Sequence, residues 1–407
     1  MALLPPSAYL VGGNVRDVLL ERRADYLDLD FVVPEAAIET AQRIAKHYQA
    51  GFVVLDAQHK IARVVFPQAT VDFAQQVGPT LETDLQRRDF TVNAIAYHPH
   101  TQQLIDPLLG AQDLDKRLLR MISAENLKAD PLRLLRAYRQ AAQLNFTVEP
   151  QTQVAIRALA GLLTQVAAER VRGELDALLS KPAGSTQLMA CCRDQLLQGW
   201  LPQITADSLQ TVTAIDAAYA DLAADWPDYA SLLAGWFKEQ SVPGMHRSWL
   251  KAAKISQLLT PDVAIAETEL VHLKYSRAEQ QAVLATLRNQ HRLAPLRSRS
   301  LSIREQYELF QDVGQSFFSL SVLAIALGYP TEQIYALTQR FLQPQDPVAH
   351  PTTLVSGRTL MQKLQLRPGR HIGQLLESIR LAHAEGKVTN PDEALDWAQL
   401  EVQRLRN

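Results

Sequence analysis

The chain has 407 residues, 47% hydrophobic and 21% charged, which is ordinary globular usage and enough for roughly two to four domains. Lys plus Arg number 41 against 43 Asp plus Glu, a net charge of −2, which excludes a uniformly basic nucleic-acid coat and confines any nucleic-acid contact to local patches. The two cysteines, Cys191 and Cys192, are neighbours, which excludes a disulfide framework and a Cys-based zinc site and fits a reduced, cytoplasmic setting. The N-terminal residues lack the basic and apolar regions of a secretion signal. No apolar run approaches the ~18 residues of a membrane span.

In chain order, β-rich runs are predicted at 8–11, 29–33, 51–55, 61–66, 70–73 and 94–97, with helices at 14–21 and 36–47 between them. Together they predict an α/β head with a mixed sheet over residues 1–120. Gly12–Gly13 joins the first strand to the first helix. Glycines there let a backbone approach a phosphate, with Arg16 one turn on, although a plain strand–helix turn uses the same residues. In DLD, Asp28 and Asp30 are two apart in a strand and share a face. Such a pair suits Mg²⁺ bound together with phosphates, or a solvated strand edge. Asp72, in another short strand, would bring a third carboxylate if the two strands are neighbours. Three acids with two Mg²⁺ suit in-line phosphoryl transfer. Asp25 is off this face and reads as a turn residue. His59 and Lys60 fall in a hairpin and have no assigned role.

RRDFTVNA, residues 87–94, gathers Arg88, Asp89 and Asn93. Arginine can hold a triphosphate and aspartate can accept from ribose hydroxyls, but a surface charge cluster looks the same. DPLLGAQDL at 106–114 reads as a turn into a helix, or a hinge. From about residue 130 onward the pattern is helical. In DPLRLLRAYR, Asp130, Arg133, Arg136 and Arg139 recur every three residues opposite Leu132, Leu135 and Tyr138. An acid and an arginine at i, i+3 can read a base edge or lace a helix surface. ERVRGEL at 169–175 repeats the mixture on another helix, with Val171, Leu175 and Leu178 as its apolar stripe. Pro182, Pro202, Pro227, Pro243, Pro261 and Pro295 are expected to stop successive helices. Residues 342–353, with three prolines, read as a linker before a last unit of two or three helices. Arg288, Arg292, Arg297, Arg299 and Arg304, with His291 and no acid among them, form a run that could track an RNA backbone or be a solvated surface.

GGNVRD, DLD, RRDFTVNA, DPLRLLRAYR and ERVRGEL, in this order, resemble the class II tRNA nucleotidyltransferases, the bacterial CCA-adding enzyme and poly(A) polymerase family. A fainter likeness to its C-terminal helices lies in LVSGRTLMQKLQLRPGRHIGQLL. The resemblance implies an α+β protein: a nucleotidyltransferase head (1–120), then an all-helical neck (121–185), body (186–341) and tail (342–407), the last two binding the tRNA acceptor arm. It implies that Asp28 and Asp30 bind two Mg²⁺, with Asp72 near the third carboxylate. Gly12, Gly13 and Arg16 would hold phosphates, and Arg88, Asp89 and Asn93 the nucleotide. Asp130 and Arg133 would read the incoming base, with Arg136 and Arg139 beside them. The family often has Glu where this chain has Ala129.

Only FAQQVGPT separates Asp72 from LETDLQRRD. Full CCA-adding and A-adding relatives carry a longer lever there, so the short segment resembles the CC-adding branch, which uses CTP. The alternatives are a complete CCA-adding enzyme using CTP and ATP, an A-adding enzyme or poly(A) polymerase, and an inactive RNA-binding relative. The last would have lost a metal carboxylate, and Asp28, Asp30 and Asp72 are all present.

Overall fold

In the computed structural model, residues 3–22, 26–181, 184–236 and 247–406 are described. Asp25, Pro182 and Pro243 lie outside them. The chain divides into two compact units, 1–202 and 203–407.

The first unit opens with β1 (Tyr9–Val11), α1 (Gly13–Leu19), β2 (Leu27–Val33), α2 (Ala37–Tyr48), β3 (Gly51–Asp56), β4 (Ile61–Phe66) and β5 (Ala69–Gln75). It continues with α3 (Leu81–Gln86), β6 (Ala96–His98), β7 (Gln103–Ile105) and α4 (Gly110–Asp115). The strands form one seven-stranded sheet in the order β3-β4-β5-β2-β1-β6-β7. The β2–β5 pair is parallel and the other pairs are antiparallel, so the sheet is mixed, as expected. Alternation sends Phe31, Val33, Ala62, Val64 and Phe73 toward α2, where they pack with Ala37, Ala41 and Ile44. The Phe31 and Phe73 rings stack at 5.4 Å. The same alternation leaves Asp28, Asp30 and Asp72 on the opposite face.

The predicted strand at 94–97 begins later, because Thr91–Asn93 form a 3-10 turn. That turn is braced: Thr91 Oγ1 donates to Asp113 (2.7 Å), and Gly110 packs so closely that a Cβ there would meet the Thr91 carbonyl at 2.3 Å. DPLLG is therefore a cap, with Asp106 accepting from the Gly110 and Ala111 amides.

Two short strands, β8 (Leu118–Leu119) and β9 (Thr147–Val148), pair apart from this sheet. Around them lie α5 (Ala124–Ala129), α6 (Leu132–Leu144), α7 (Pro150–Leu159), α8 (Ala168–Leu179) and α9 (Gly184–Arg193). The predicted stripes of α6 (Leu132, Leu135, Tyr138) and α8 (Val171, Leu175, Leu178) are buried. Asp194, just beyond α9, is a fully buried carboxylate that ties α6 to α7. It accepts from Tyr138 Oη, from Gln153 Nε2 (3.0 Å) and from Arg157 Nε (2.8 Å).

The second unit is helical: α10 (Ala206–Asp225), α11 (Pro227–Ala234), α12 (Trp249–Leu258), α13 (Val263–His272), α14 (Arg277–Asn289), α15 (Ile303–Val313), α16 (Phe317–Ala326), α17 (Thr331–Leu342), α18 (Gly357–Lys363), α19 (Arg370–Ala384) and α20 (Pro391–Arg406). Some prolines here start helices rather than stop them. Pro227 and Pro391 are first residues, where a missing N–H costs no helix bond. Pro295 sits inside a 3-10 stretch. The expected linker is anchored: Val348 and Ala349 are buried, and the His350 ring meets the Phe341 carbonyl at 2.6 Å. The last three helices have their own core around Leu360, Leu375, Ile379 and Ala394. The stretch Ile303–Ala326 is long and apolar enough to cross a membrane, unlike the sequence expectation, but 67% of its most apolar window is buried inside the protein.

Candidate active site

Both acids of DLD lie within β2, which starts two residues earlier than predicted. Register places Asp28 beside Thr70 and Asp30 beside Asp72 on β5. Thr70 Oγ1 donates to Asp28 at 2.5 Å. Burial, then the charges of Asp28 and Asp72, push the Asp30 carboxyl up to about 6 from its ordinary 3.8, against the opposing pull of Arg88 and Arg63.

Gly12 makes this crowding possible. Its φ of +78° and ψ of −144° suit glycine alone, and a Cβ there would lie 3.2 Å from Asp30 Oδ2 and 3.7 Å from Arg88 Nη1. At Gly13 the nearest atom would be the flexible end of Arg16, at 3.4 Å. Gly12→Ala is expected to cost about 1–3 kcal/mol and to slow turnover far more than Gly13→Ala does. Thermal melts and initial rates check both.

From α1, a buried chain of polar contacts links the motifs. Arg16 holds Asp17 and donates from Nη1 to Asn93 Oδ1 (2.7 Å). Asn93 Nδ2 donates to Asp89 Oδ1 and to Gln140 Oε1, both at 3.0 Å. Arg136 Nη1 lies 3.5 Å from Asp89 Oδ2, and Glu174 of α8 grips Arg136 (3.0 Å) and Arg139 (2.5 Å). The ERVRGEL segment thus braces the arginine stripe through Glu174.

Arg87 and Arg88 are held by Asp84, a fully buried acid of α3 that the sequence reading passed over. Its signal was D-x-x-R-R, which puts both arginines on its side of the helix. Burial alone would raise the Asp84 carboxyl; Arg88, the Val77 amide and Arg87 outweigh it and hold it low. Arg88 Nε remains a buried donor with no partner among the described residues.

A cavity of about 790 Å³ opens between these groups. Gly13, Arg16, Asp28, Asp30, Arg88, Asp89, Asn93, Arg136 and Arg139 line it. Arg22, Tyr26, Gln140 and Gln143, which no motif marked, also line it. Gly12 flanks it through Asp30. Asp72, Asp130 and Arg133 are not among its lining residues. The Asp72 carboxylate is held by Arg63 at 2.7 and 2.8 Å. Asp130 pairs with Arg170 (3.1 Å), and Arg133 donates to the Arg87 and Asn126 carbonyls (2.9 and 3.2 Å). Burial pulls the Arg133 guanidinium below its ordinary value, against the nearby Asp89 and Asp130 charges. His59 lies outside the cavity, paired with Asp56 in the hairpin.

The donor set fits a divalent cation shared with a polyphosphate. Two carboxylates converge where one of them resists ionisation, and the arginines Arg16, Arg88, Arg136 and Arg139 line the same cavity. Among the described residues, no three carboxylate, imidazole or thiolate side chains are grouped to hold an ion alone. Phosphate oxygens would have to complete its shell, as Mg²⁺ prefers.

In the second unit, the arginine run is not acid-free in space. Arg292 pairs with Asp312 and Glu308, Arg299 with Glu305, and Arg304 with Glu308. Arg297 stacks on Tyr329 at 4.6 Å. The carboxylates come from α15, so the run is a weaker cationic surface than its sequence suggests.

Comparison with known proteins agrees with this geometry. Residues 8–120 match the family model "Poly A polymerase head domain", 145–208 "Probable RNA and SrmB-binding site of polymerase A", and 247–398 "tRNA nucleotidyltransferase domain 2 putative". The chain is 47% identical to a CC-adding tRNA nucleotidyltransferase of Synechocystis sp., over 98% of this chain and 94% of that protein. It is 34% identical to an A-adding tRNA nucleotidyltransferase of Deinococcus radiodurans, over 97% and 95%. A solved CCA-adding enzyme with ATP shares the fold at a TM-score of 0.76 and 21% identity, covering 97% of this chain and 91% of the other.

Proposed function

This chain belongs to the tRNA nucleotidyltransferase family, and we propose that it adds the two cytidines of the 3′-terminal CCA to tRNA, using CTP and no nucleic-acid template. The observation that carries the reading is the Asp28–Asp30 pair facing a cavity lined by Arg16, Arg88, Arg136 and Arg139. It suits transfer of a nucleotidyl group: the tRNA 3′ hydroxyl attacks the α-phosphate of CTP, and pyrophosphate leaves.

Arg16 and Arg88, both on the cavity wall, hold the triphosphate. Asp89, steadied by Asn93, accepts from the ribose. Asp130 and Arg133 present acceptor and donors to the base, with Arg170 fixing Asp130 where Ala129 offers no carboxylate. Arg136 and Arg139 shape the adjoining wall. Asp72 stands one strand away, with a part in handling the attacking hydroxyl. Divalent cations, two Mg²⁺ on Asp28 and Asp30, would supply charge neutralisation at the reacting and leaving phosphates. The head and neck do the chemistry, and the body and tail grip the acceptor arm, with Arg288 and its neighbours as secondary contacts. A cytoplasmic location goes with this activity.

Addition limited to cytidine is favoured by the segment after Asp72. It is a tight turn, with Gly78 at φ +90° and the Val77 amide donating to Asp84 at 3.0 Å. Asp84 also holds Arg87 and Arg88. A turn locked to the arginines of the site is poorly suited to reshaping it for ATP. The test supplies labelled CTP, ATP, GTP or UTP singly with a tRNA lacking its CCA end. Incorporation of CTP alone, abolished by a chelator and restored by Mg²⁺, is expected. Incorporation of ATP alone, or activity that survives chelation, would refute the reading.

A further inference from the structure

Beside the acid pair, one cation stands apart from those lining the cavity. Register aligns Asp30 on β2, Asp72 on β5, Arg63 on β4 and Val53 on β3 in one row across the sheet. The triphosphate ligands lie on the other side of β2, after β1 and α3. In-line displacement puts the attacking hydroxyl opposite the leaving pyrophosphate. An RNA strand presenting its 3′ hydroxyl therefore approaches over β5 and β4.

Arg63 meets that approach. Its Nε and Nη2 are fixed on Asp72, while Nη1 makes no hydrogen bond among the described residues and the side chain is 35% exposed. Val53 and Val65, on the same face, are 49% and 39% exposed, offering an apolar surface beside the cation. We propose that Arg63 receives a backbone phosphate at the 3′ end of the primer strand, with Asp72 acting as the group that aims its guanidinium. Resting on the nucleotidyltransferase reading, this makes Arg63 a primer-positioning residue that none of the sequence motifs contains. A planar guanidinium anchored by two donors still has donors for phosphate, and anchoring lowers the entropy lost on binding.

The test measures binding of the full chain to a tRNA ending at the discriminator base, between about 50 and 200 mM salt, without nucleotide. Arg63→Ala is expected to weaken binding on the order of tenfold. The slope of log affinity against log salt should shrink by about 0.7, one single-strand phosphate contact, while CTP affinity stays within about twofold. Arg63→Lys should restore the slope. If Arg63→Ala does not fold, Arg63→Gln with Asp72→Asn keeps a neutral hydrogen-bonded pair and must show the same loss of slope. An unchanged slope, or CTP affinity falling in step with tRNA affinity, overturns the proposal and leaves Arg63 as a partner for Asp72 only. Whether the wild type transfers cytidine is read separately, so failure of the enzymatic reading leaves the binding comparison interpretable.

Discussion

Asp30→Asn is expected to cut cytidine incorporation by about a thousandfold or more, while tRNA affinity stays near wild type. The same substitution should stabilise the metal-free protein. The Asp30 carboxyl titrates at about 6 when folded against an ordinary 3.8, so the native state holds its proton more tightly than the unfolded state does. Its favourable contribution is full below about pH 4 and is lost as pH rises through about 6. Metal-free wild type should therefore lose on the order of 2 kcal/mol across that window. Asn, which carries no proton to lose, should flatten the loss, and Mg²⁺ should raise the wild-type melting temperature more than that of the variant. Melts from pH 4 to 8, with chelator and with Mg²⁺, check this. A variant that incorporates normally, or one whose metal-free melt follows the wild-type pH curve, would remove Asp30 from the centre of the site.

Asp194→Ala is expected to be the most damaging single change in the first unit. The carboxylate is fully buried and accepts from Tyr138, Gln153 and Arg157. Burial first, and then Asp194, push the Tyr138 hydroxyl well above its ordinary range, so it remains a donor with nowhere else to turn. Removing the acceptor strands two donors and a partly covered guanidinium, at roughly 3–5 kcal/mol. For a unit of this size that lowers the melting point by about 10 °C. Asp194→Asn, which retains one acceptor oxygen, should lose about half as much. The consequence reaches the site because Tyr138 lies on α6 between Arg136 and Arg139. Below the melt, the variant should show a raised KM for CTP, as α6 loses a point of attachment. A shift of less than about 2 °C would mean that α6 is held by its apolar stripe alone.

What was legible in the sequence were features with local rules. DLD shares a face because strands alternate, and Gly12 is glycine because its φ is positive and Asp30 lies against it. The apolar stripes of α6 and α8 are buried because their spacing is helical. What escaped depends on contacts across distance. Arg63 reaches Asp72 only through the pairing of β4 with β5, which no short motif encodes. Gln140 and Gln143 face the cavity because α6 packs beside Asn93. The arginines near 300 look unpaired until α15 folds back its acids. Asp84 was legible in principle, since its spacing to Arg87 and Arg88 is helical, but only the fold shows that it also pins the turn after Asp72.

That turn bears the central claim, because we infer that a short connection locked through Asp84 confines addition to cytidine. The direct measurement uses a tRNA transcript ending at the discriminator base, incubated with CTP, with ATP, or with both, and sized at single-nucleotide resolution. Two added cytidines and no more, with ATP present, is the expected product. A third residue added from ATP would contradict the claim and make the chain a complete CCA-adding enzyme despite its short turn.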